Sequence, residues 1–600
     1  MSPGIFEDSR TLRDELAVLL GEMPLFRGLA PAVLGAIAAA AEWLSLPGGA
    51  VLFSVGEPAD ALYVVLSGSL AVLTAGGRAQ GRFLARLAGG DTVGEMGLIS
   101  GHPRTANVVA LRNTELARIS ARAFNEVLRR EPEAMWRIAQ LMVGRLERMD
   151  GPPPRAHVRG ACTFTVLPQS LEVDFAGFST GLVNALGQFG RTELVWNARG
   201  ATHTSQWFNN IESSNDFVVY VAEPTPNRWT KLCERQADAL LLLARAESPA
   251  GSWAALRWPH DHSLTPQRWE LVLAHDSGIE TGAAARWLTN LPEIPHHHVQ
   301  SAADYGRLAR MLTGRAVGLV LSGGGARGFA HIGAIKALSE AGIPVDLLGG
   351  TSMGAILAAG VAARWNLEEI TERFRHYFVD SRPLRDYTLP FVSLVSGHKV
   401  SRLLFEAFGE TAIEDLPLAY FCVSANLTSG HTHVHRRGEL WRALRASVSV
   451  PGVLPPVVQD GEVLVDGGAM NNLPVDIMLE LGRGPVIGCD AGADRAFATH
   501  GGEIDVPLPW QIMRWIKARR QLPNIFQILW RTGMVNSSTQ TAAQRERTDL
   551  LLRPPLAAID MLNWRAFDEA VQAGYEYTLR RIDELPEDSP LWRSAGPASR

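Results

Sequence analysis

Long apolar runs are missing from this chain of 600 residues. No stretch reaches the roughly 18 uninterrupted apolar residues that a spanning helix needs, so a protein crossing the membrane on helices is not expected. The start, Met1-Ser2-Pro3-Gly4-Ile5-Phe6-Glu7-Asp8, has neither a basic segment nor an apolar one. That argues against a secretory signal. Cysteine is scarce, and Cys162, Cys233, Cys422 and Cys489 form no CxxC. This spacing disfavours a disulfide or zinc framework and fits a reducing compartment. The charge excess is only -5, which gives no reason to expect nucleic acid as a partner. No Gly-Lys pair occurs anywhere, and a working P-loop needs one to hold phosphates. The expectation is a cytoplasmic protein, at most peripheral to the inner face of a membrane.

What is present is globular. Hydrophobic residues make up 46% and charged ones 20%, unlike a disordered chain. Six hundred residues are too many for one core, so three or four domains are expected. The reading is a multidomain α+β and α/β protein. Residues 1–150 form a first module. Between Gly48 and Ala117, glycines punctuate short apolar runs such as Leu62-Tyr63-Val64-Val65-Leu66, which predicts a β-roll or barrel. Helical patterns flank it at 31–43 and 121–148. Gly151-Pro152-Pro153-Pro154 reads as a linker. Residues 155–300 alternate strand and helix patterns, with apolar runs at 217–221, 239–244 and 269–274 and helical spacing at 178–189 and 281–291. That predicts a parallel α/β domain, degenerate in lacking a P-loop. Residues 314–600 form a second α/β domain with a helical extension.

This last domain carries the strongest signal. Gly350-Thr351-Ser352-Met353-Gly354 reads G-x-S-x-G and follows a mostly apolar run, 343–348. A serine between two glycines just past a strand is how a chain builds a nucleophile elbow. Upstream, the strand Val317-Gly318-Leu319-Val320-Leu321 leads into Ser322-Gly323-Gly324-Gly325-Ala326-Arg327-Gly328 and then into a helical pattern over 329–341. Backbone N–H groups in such a loop, at a helix N-terminus, bind anions. Beside a serine their task is to hold the oxyanion of an acyl intermediate, at about 3–4 kcal/mol per donor. Arg327 adds a positive charge to the loop. The loop also matches the dinucleotide pattern G-x-G-x-x-G. That pattern wants an acid near the end of the next strand, and Asp346 stands near its beginning.

The serine needs a base. His331, His376, His398, His431, His433 and His435 all lie in the domain, none in a recognisable triad context. Asp466 is the better candidate. It ends the strand pattern Glu462-Val463-Leu464-Val465 and precedes two glycines. Burial would raise its pKa from roughly 3.9 and make a Ser-Asp dyad workable. Spacing alone leaves a turn-forming Asp-Gly pair as the commoner alternative.

The glycine loop, G-T-S-M-G, the segment Arg445-Ala446-Ser447-Val448-Ser449-Val450-Pro451 and Asp466-Gly467-Gly468 together resemble the patatin-like phospholipases. The resemblance covers residues 316–481. It implies a Ser352–Asp466 dyad and an oxyanion hole from Gly323, Gly324, Gly325 and their neighbours, Arg327 and Gly328 among them. It also implies hydrolysis of phospholipid or lysophospholipid acyl esters without a metal or other catalytic cofactor.

The second strong signal is Gly94-Glu95-Met96-Gly97-Leu98-Ile99-Ser100-Gly101-His102-Pro103-Arg104-Thr105-Ala106. A glycine-opened turn supplies amides, and an arginine can grip a phosphate through two N–H bonds. The segment resembles the phosphate-binding cassette of cyclic-nucleotide-binding domains. The resemblance implies that Glu95 takes the ribose 2′-OH, Arg104 the cyclic phosphate, and Gly94 with nearby amides the phosphate oxygens. Thr105 stands where a hydroxyl can reach the base, a lean toward cGMP over cAMP as effector. The alternative is a roll that has lost its ligand. The order of parts resembles bacterial relatives of neuropathy target esterase. The animal proteins of that family start with a membrane-spanning helix and carry several nucleotide domains; in this sequence no such helix is expected and one such domain is read.

Two weaker signals remain. His260-Asp261-His262 and His296-His297-His298 sit beside prolines and read as solvated loops rather than metal sites. Residues 510–520 mix tryptophan with basic side chains at helical spacing, which fits either an interfacial helix or one packed on the catalytic domain. Two rivals to the esterase stay open: a nucleotide-sensing scaffold with a residual hydrolase fold, and an acyltransferase using the same acyl-serine.

Overall fold

The computed structural model describes residues 16–18, 20–21, 26, 30–74, 83–130, 162–169, 172–201, 203, 205–225, 227–249, 268–289, 294–389, 391–492, 537 and 539–595. The expected linker 151–154, the histidines 260 and 262 and the helical pattern 510–520 lie outside these residues. The chain divides into two compact units, one of residues 1–274 with 290–296, the other of 275–289 with 297–600.

In the first unit, the N-terminal module folds as two antiparallel four-stranded sheets, not a closed barrel. One runs Ala41–Leu46, Thr114–Ser120, Ala61–Ser67, Thr92–Val93, and the other Val51–Phe53, Asn107–Ala110, Ser69–Leu73, Phe83–Ala88. The strand Ala61–Ser67 shows why its sequence is apolar on both faces. Its side chains alternate. Leu62 and Val64 pack with Ala117, Ile119, Ile37 and Phe124 under the helices Pro31–Ala40 and Ala121–Arg130, while Tyr63 and Val65 pack between the sheets with Phe53, Leu70 and Val108. The first helix stops three residues earlier than its pattern suggests. Residues 41–43 pair with Ile119, Arg118 and Ala117 as a strand, and no glycine or proline marks the change.

The α/β part of this unit has a parallel sheet. Five strands pair in the order Thr192–Val195, Phe217–Val221, Thr163–Pro168, Ala239–Arg245, Arg268–Ala274. The helix Phe175–Leu186 follows the strand Thr163–Pro168, where a P-loop would lie. Its N-terminus is capped by Asp174, which accepts the N–H of Gly177 at 2.8 Å. A carboxylate at that position satisfies the amides and repels phosphate. Arg112 ties this part to the N-terminal module. It is buried between Glu212 at 2.5 Å and Asp238 at 3.3 Å. Burial opposes its charge, but the two carboxylates raise its pKa above the ordinary value.

The second unit is built on an eight-stranded sheet. Its order is Val457–Gln459, Glu462–Asp466, Ala419–Asn426, Leu347–Thr351, Gly318–Leu321, Val486–Cys489, Leu550–Leu552, with His431–His435 paired to Ala419–Asn426. The central strands are parallel, Leu321 opposite Gly350, while Asp466 sits opposite Ser424 on an antiparallel neighbour. Both faces are covered. Leu319, Leu321 and Leu348 join one core and Val320 and Leu347 the other, which is why these strands read as continuous apolar runs. The serine and the glycine loop therefore emerge at the carboxyl ends of adjacent parallel strands, the usual place for a site in such a sheet.

Residues 296–299 are a correction to the solvated-loop expectation. His296–Val299 is a strand, and His297 and His298 are buried. The His298 Nδ1 lies 2.7 Å from His275 Nε2, and its Nε2 is 2.9 Å from the carbonyl of Glu414. Among the described residues no group of three or more metal-ligating side chains converges, and no helix is long and apolar enough to cross a membrane.

Candidate active site

Ser352 ends the strand Leu347–Thr351 and opens the helix Met353–Ala362. Its φ is 53° and ψ -121°, in the left-handed half of the map that a side chain avoids. The strain persists because the turn is over-determined. A Cβ on Gly354 would run into the carbonyls of Leu321 and Ser322, and one on Gly350 would stand 2.7 Å from the Ala355 nitrogen. The backbone N–H of Ser352 donates to Ser447 Oγ at 2.9 Å, and that hydroxyl donates to the Val423 carbonyl at 2.7 Å. Buried Ser447 thus fixes the elbow from behind. Its place within the segment 445–451 was the only sequence signal for this task.

The side chain of Ser352 meets Asp466. Oγ donates to Asp466 Oδ2 at 2.7 Å, and Gly468 N–H donates to Oδ1 at 2.8 Å. The second glycine of the Asp-Gly-Gly segment thus serves the carboxylate directly. Asp466 is fully buried. Burial pushes its carboxyl up to about 6, against the opposing pull of the hydrogen bonds from Ser352 and Gly468. At neutral pH the group is a carboxylate, yet far more basic than an exposed aspartate.

The glycine loop wraps the same serine. A Cβ on Gly323 would lie 3.1 Å from the Ser352 Cβ and 2.7 Å from Asn472 Oδ1. Asn472, which sequence reasoning did not single out, donates from Nδ2 to the Gly323 carbonyl at 3.3 Å. Gly324 and Gly325 line the cavity with Ser352 and Met353, and the Met353 N–H is the first of its helix, without an intrahelical acceptor. Gly328 packs against Met353 inside the short helix Gly325–Phe329. The Arg327 side chain is buried and its Nε donates to the Ile559 carbonyl at 2.7 Å. It tethers the chain 232 positions on.

The histidines stand apart from the dyad. Buried His331 holds the Ser322 carbonyl at 2.9 Å through Nε2 and faces Cys489 Sγ at 3.1 Å. Burial pushes its pKa down to about 4. His435 bonds Ser424 Oγ at 2.8 Å, and burial with the charge of His433 lowers it to about 3. His433 faces Glu462 and His431 the Ser429 carbonyl.

Above the dyad opens a cavity of about 790 Å³. Ile356, Trp365, Phe374, Phe378, Leu404 and Phe408 supply much of its apolar wall. Polar lining is concentrated in Asn472, Asp490, Ser537, Thr541 and Arg545, where Arg545 Nε donates to Asp490 Oδ2 at 2.7 Å.

In the N-terminal module, Gly94 adopts φ 92° and opens the helix Glu95–Ser100, with Glu95 buried. Arg104 is brought to the same turn. Its Nη1 donates to the Gly94 carbonyl at 2.9 Å and Nη2 to the Ala61 carbonyl at 2.7 Å, with Asp60 at 3.3 Å and the Phe53 ring at 4.2 Å. Thr105 follows, exposed. Asp60, which sequence reasoning missed, also pairs with Arg118 at 2.8 Å.

Family models match three successive segments: a cyclic nucleotide-binding domain over residues 43–131, a neuropathy target esterase family P-loop like domain over 161–313, and a patatin-like phospholipase over 319–479. The chain is similar to the lysophospholipase nte1 of Aspergillus terreus, at 30% identity over 94% of this chain and 43% of that protein. It is also similar to patatin-like phospholipase domain-containing protein 6 of Pongo abelii, at 30% over 90% of this chain and 44% of that one. It thus spans about two fifths of the length of these curated relatives. A solved catabolite activator protein of Thermus thermophilus is 28% identical over 28% of this chain and 68% of its own, with a TM-score of 0.20. The chain carries a patatin-like phospholipase domain joined, through a P-loop like domain of the neuropathy target esterase family, to a cyclic nucleotide-binding domain.

Proposed function

We propose that the chain is a serine esterase that hydrolyses the acyl ester of lysophospholipids or phospholipids through Ser352 and Asp466. The observation that carries this reading is the 2.7 Å hydrogen bond from a strained serine to a buried carboxylate at the floor of a largely apolar cavity. Ser352 Oγ attacks the ester carbonyl and its proton passes to Asp466 Oδ2. The amides of Gly324, Gly325 and Met353 hold the developing oxyanion. The protonated Asp466 then gives its proton to the leaving alcohol, and water, activated by the same carboxylate, releases the fatty acid. The apolar wall suits one acyl chain, and the Asn472, Asp490 and Arg545 end suits a polar remainder of the substrate. The two relatives named lysophospholipase and patatin-like phospholipase support the substrate class.

The test is a panel of lysophospholipids, phospholipids and triacylglycerols assayed with wild type and Ser352→Ala. Release of fatty acid from monoacyl lipids by the wild type alone is expected. No release from any lipid would overturn the reading, and acyl transfer to an added alcohol in place of hydrolysis would reassign it to a transferase.

A second reading is supported by the meeting of Gly94, Glu95 and Arg104 at one turn. The N-terminal module binds a cyclic nucleotide, the phosphate on Arg104 and the ribose on Glu95, with Thr105 favouring cGMP over cAMP. Binding shifts catalysis only as far as the nucleotide prefers one state of the enzyme, and coupling of about 1–3 kcal/mol is usual. Calorimetry with each nucleotide, beside the lipid assay, decides it. Absence of heat with both removes the effector, and heat without a change in rate keeps the site and removes the regulation.

A further inference from the structure

One short segment departs from the rest of the surface. Tyr387-Thr388-Leu389-Pro390-Phe391-Val392-Ser393-Leu394 carries five large apolar side chains. All five face solvent: Tyr387 is 77% exposed, Leu389 72%, Phe391 89%, Val392 67% and Leu394 46%. Elsewhere among the described residues, large exposed apolar side chains such as Trp43, Leu427 and Leu562 are spread along the chain. Scattered ones are ordinary, whereas a cluster marks a surface that something covers.

Residues 387–389 and 391–394 belong to the tip of a hairpin with a firm base. Tyr387 bridges Val395, Thr388 N–H donates to the Leu394 carbonyl at 3.1 Å, and Ser396 N–H donates to the Asp386 carbonyl at 2.8 Å. The Ser396 hydroxyl adds a bond of 2.6 Å to Asp386 Oδ2. Val395 is buried, and the N–H groups of Leu394 and Val395 donate to the carbonyls of Gly452 and Val453 at 2.9 and 3.0 Å. This base adjoins the wall of the cavity above Ser352. Pro383 and Leu384 before the hairpin line that cavity, as do Val400 and Leu403 after it and Val453 beneath it.

We propose that the hairpin tip enters a phospholipid surface and holds the cavity wall against it, so that a substrate acyl chain passes from the lipid into the cavity. A convex apolar tip needs a medium that closes around it without a shaped recess, and lipid hydrocarbon does so. Exposed Arg382 and Arg385 precede the tip, and cations beside an inserting segment suit anionic headgroups. The inference rests on the lipid-hydrolase reading for its purpose, but its test does not need catalysis.

The full chain is sedimented with vesicles of phosphatidylcholine containing phosphatidylglycerol. Wild type is expected to sediment, and Phe391→Ser/Val392→Ser to lose binding roughly tenfold or more, since each buried apolar side chain contributes about that factor. Phe391→Trp is expected to bind as wild type does, with its emission shifted to the blue by vesicles. Equal sedimentation of wild type and the double variant overturns the proposal. So does a blue shift that follows protein concentration without lipid, because a second copy then covers the tip. A water-soluble short-chain ester separates the two readings. Wild type and the double variant are expected to hydrolyse it within about twofold of each other, because neither residue lines the cavity. If neither protein cleaves any ester while only the wild type binds vesicles, the hydrolase reading fails and the lipid surface stands.

Discussion

The elbow of the patatin-like unit and the cassette of the N-terminal module are built from the same kinds of parts: a glycine turn, a helix start and one buried charged side chain. They differ in what that side chain faces. Asp466 shares its oxygens between one backbone N–H and the Ser352 hydroxyl, so one of its two hydrogen bonds already runs along the proposed proton path. Arg104 directs both terminal nitrogens at backbone carbonyls and keeps Asp60 beside it. A phosphate must therefore compete with the carbonyls of Gly94 and Ala61 and with a carboxylate. A carboxylate preset against its partner is ready to act; a guanidinium whose two terminal nitrogens are held by its own fold must first be released. The comparison teaches that a motif reports which residues meet, while their hydrogen-bond partners report whether the site is poised.

Ser352→Ala breaks the catalytic side most completely. It is expected to lower hydrolysis by about four orders of magnitude or more and to abolish labelling by a fluorophosphonate, with the fold kept. Labelling that survives would move the nucleophile elsewhere. Asp466→Asn keeps the shape but cannot accept the proton, and a loss of roughly a thousandfold or more is expected.

The pH dependence of Asp466 gives two further readings. With its carboxyl raised to about 6, kcat/KM is expected to fall tenfold per unit as pH drops below that value and to level off above it. The stability consequence has the opposite direction. A folded pKa above the unfolded one favours the native state only while the group is protonated. That contribution is complete below about pH 4 and is lost as pH rises through about 6. Asp466→Asn is therefore expected to melt higher than wild type at pH 8, by roughly 1–3 kcal/mol of stability, with the difference vanishing near pH 4. Thermal melts at the two pH values check it.

Arg104→Ala sharpens the other side. It is expected to weaken cyclic-nucleotide binding roughly a hundredfold, because the phosphate loses its bidentate partner. Asp60→Asn is expected to strengthen binding a few fold by removing the competing carboxylate, and calorimetry reads both. If Asp60→Asn weakens binding instead, Asp60 supports the site rather than competing for it. Ser447→Ala should cost about tenfold in kcat with KM little changed, since it loosens the elbow without touching substrate. The smallest effects are expected for His376, His398, His431 and His433, each within about twofold on replacement. Any one of them as essential as Ser352 would turn the dyad into a triad.

Much of the patatin-like unit was legible because its signals are local. The strands Gly318–Leu321 and Glu462–Asp466 are apolar runs ending in glycine-rich turns, and the elbow demands glycine at 350 and 354 by steric contact alone. The failures share a different cause. His296-His297-His298 reads as a loop because three polar residues beside proline carry no apolar period, yet His298 finds His275 and the Glu414 carbonyl in the folded chain. Residues 41–43 continue a helical pattern, but pairing with residues 117–119 extends them. Arg327 lines the cavity beside Ser352, and its Nε also holds the Ile559 carbonyl, a partner no window of sequence contains.

By itself the sequence determined the order of the three matched segments, the glycine-flanked serine, the aspartate at its strand end and the absence of a P-loop lysine, since each depends on residue type at a short spacing. Only the tertiary structure decided that Asp466 is buried against Ser352, that Ser447 and Asn472 brace the elbow and its loop, and that Arg104 is held by backbone carbonyls. These are matters of long-range pairing and of dielectric surroundings, set by strands and loops far apart along the chain.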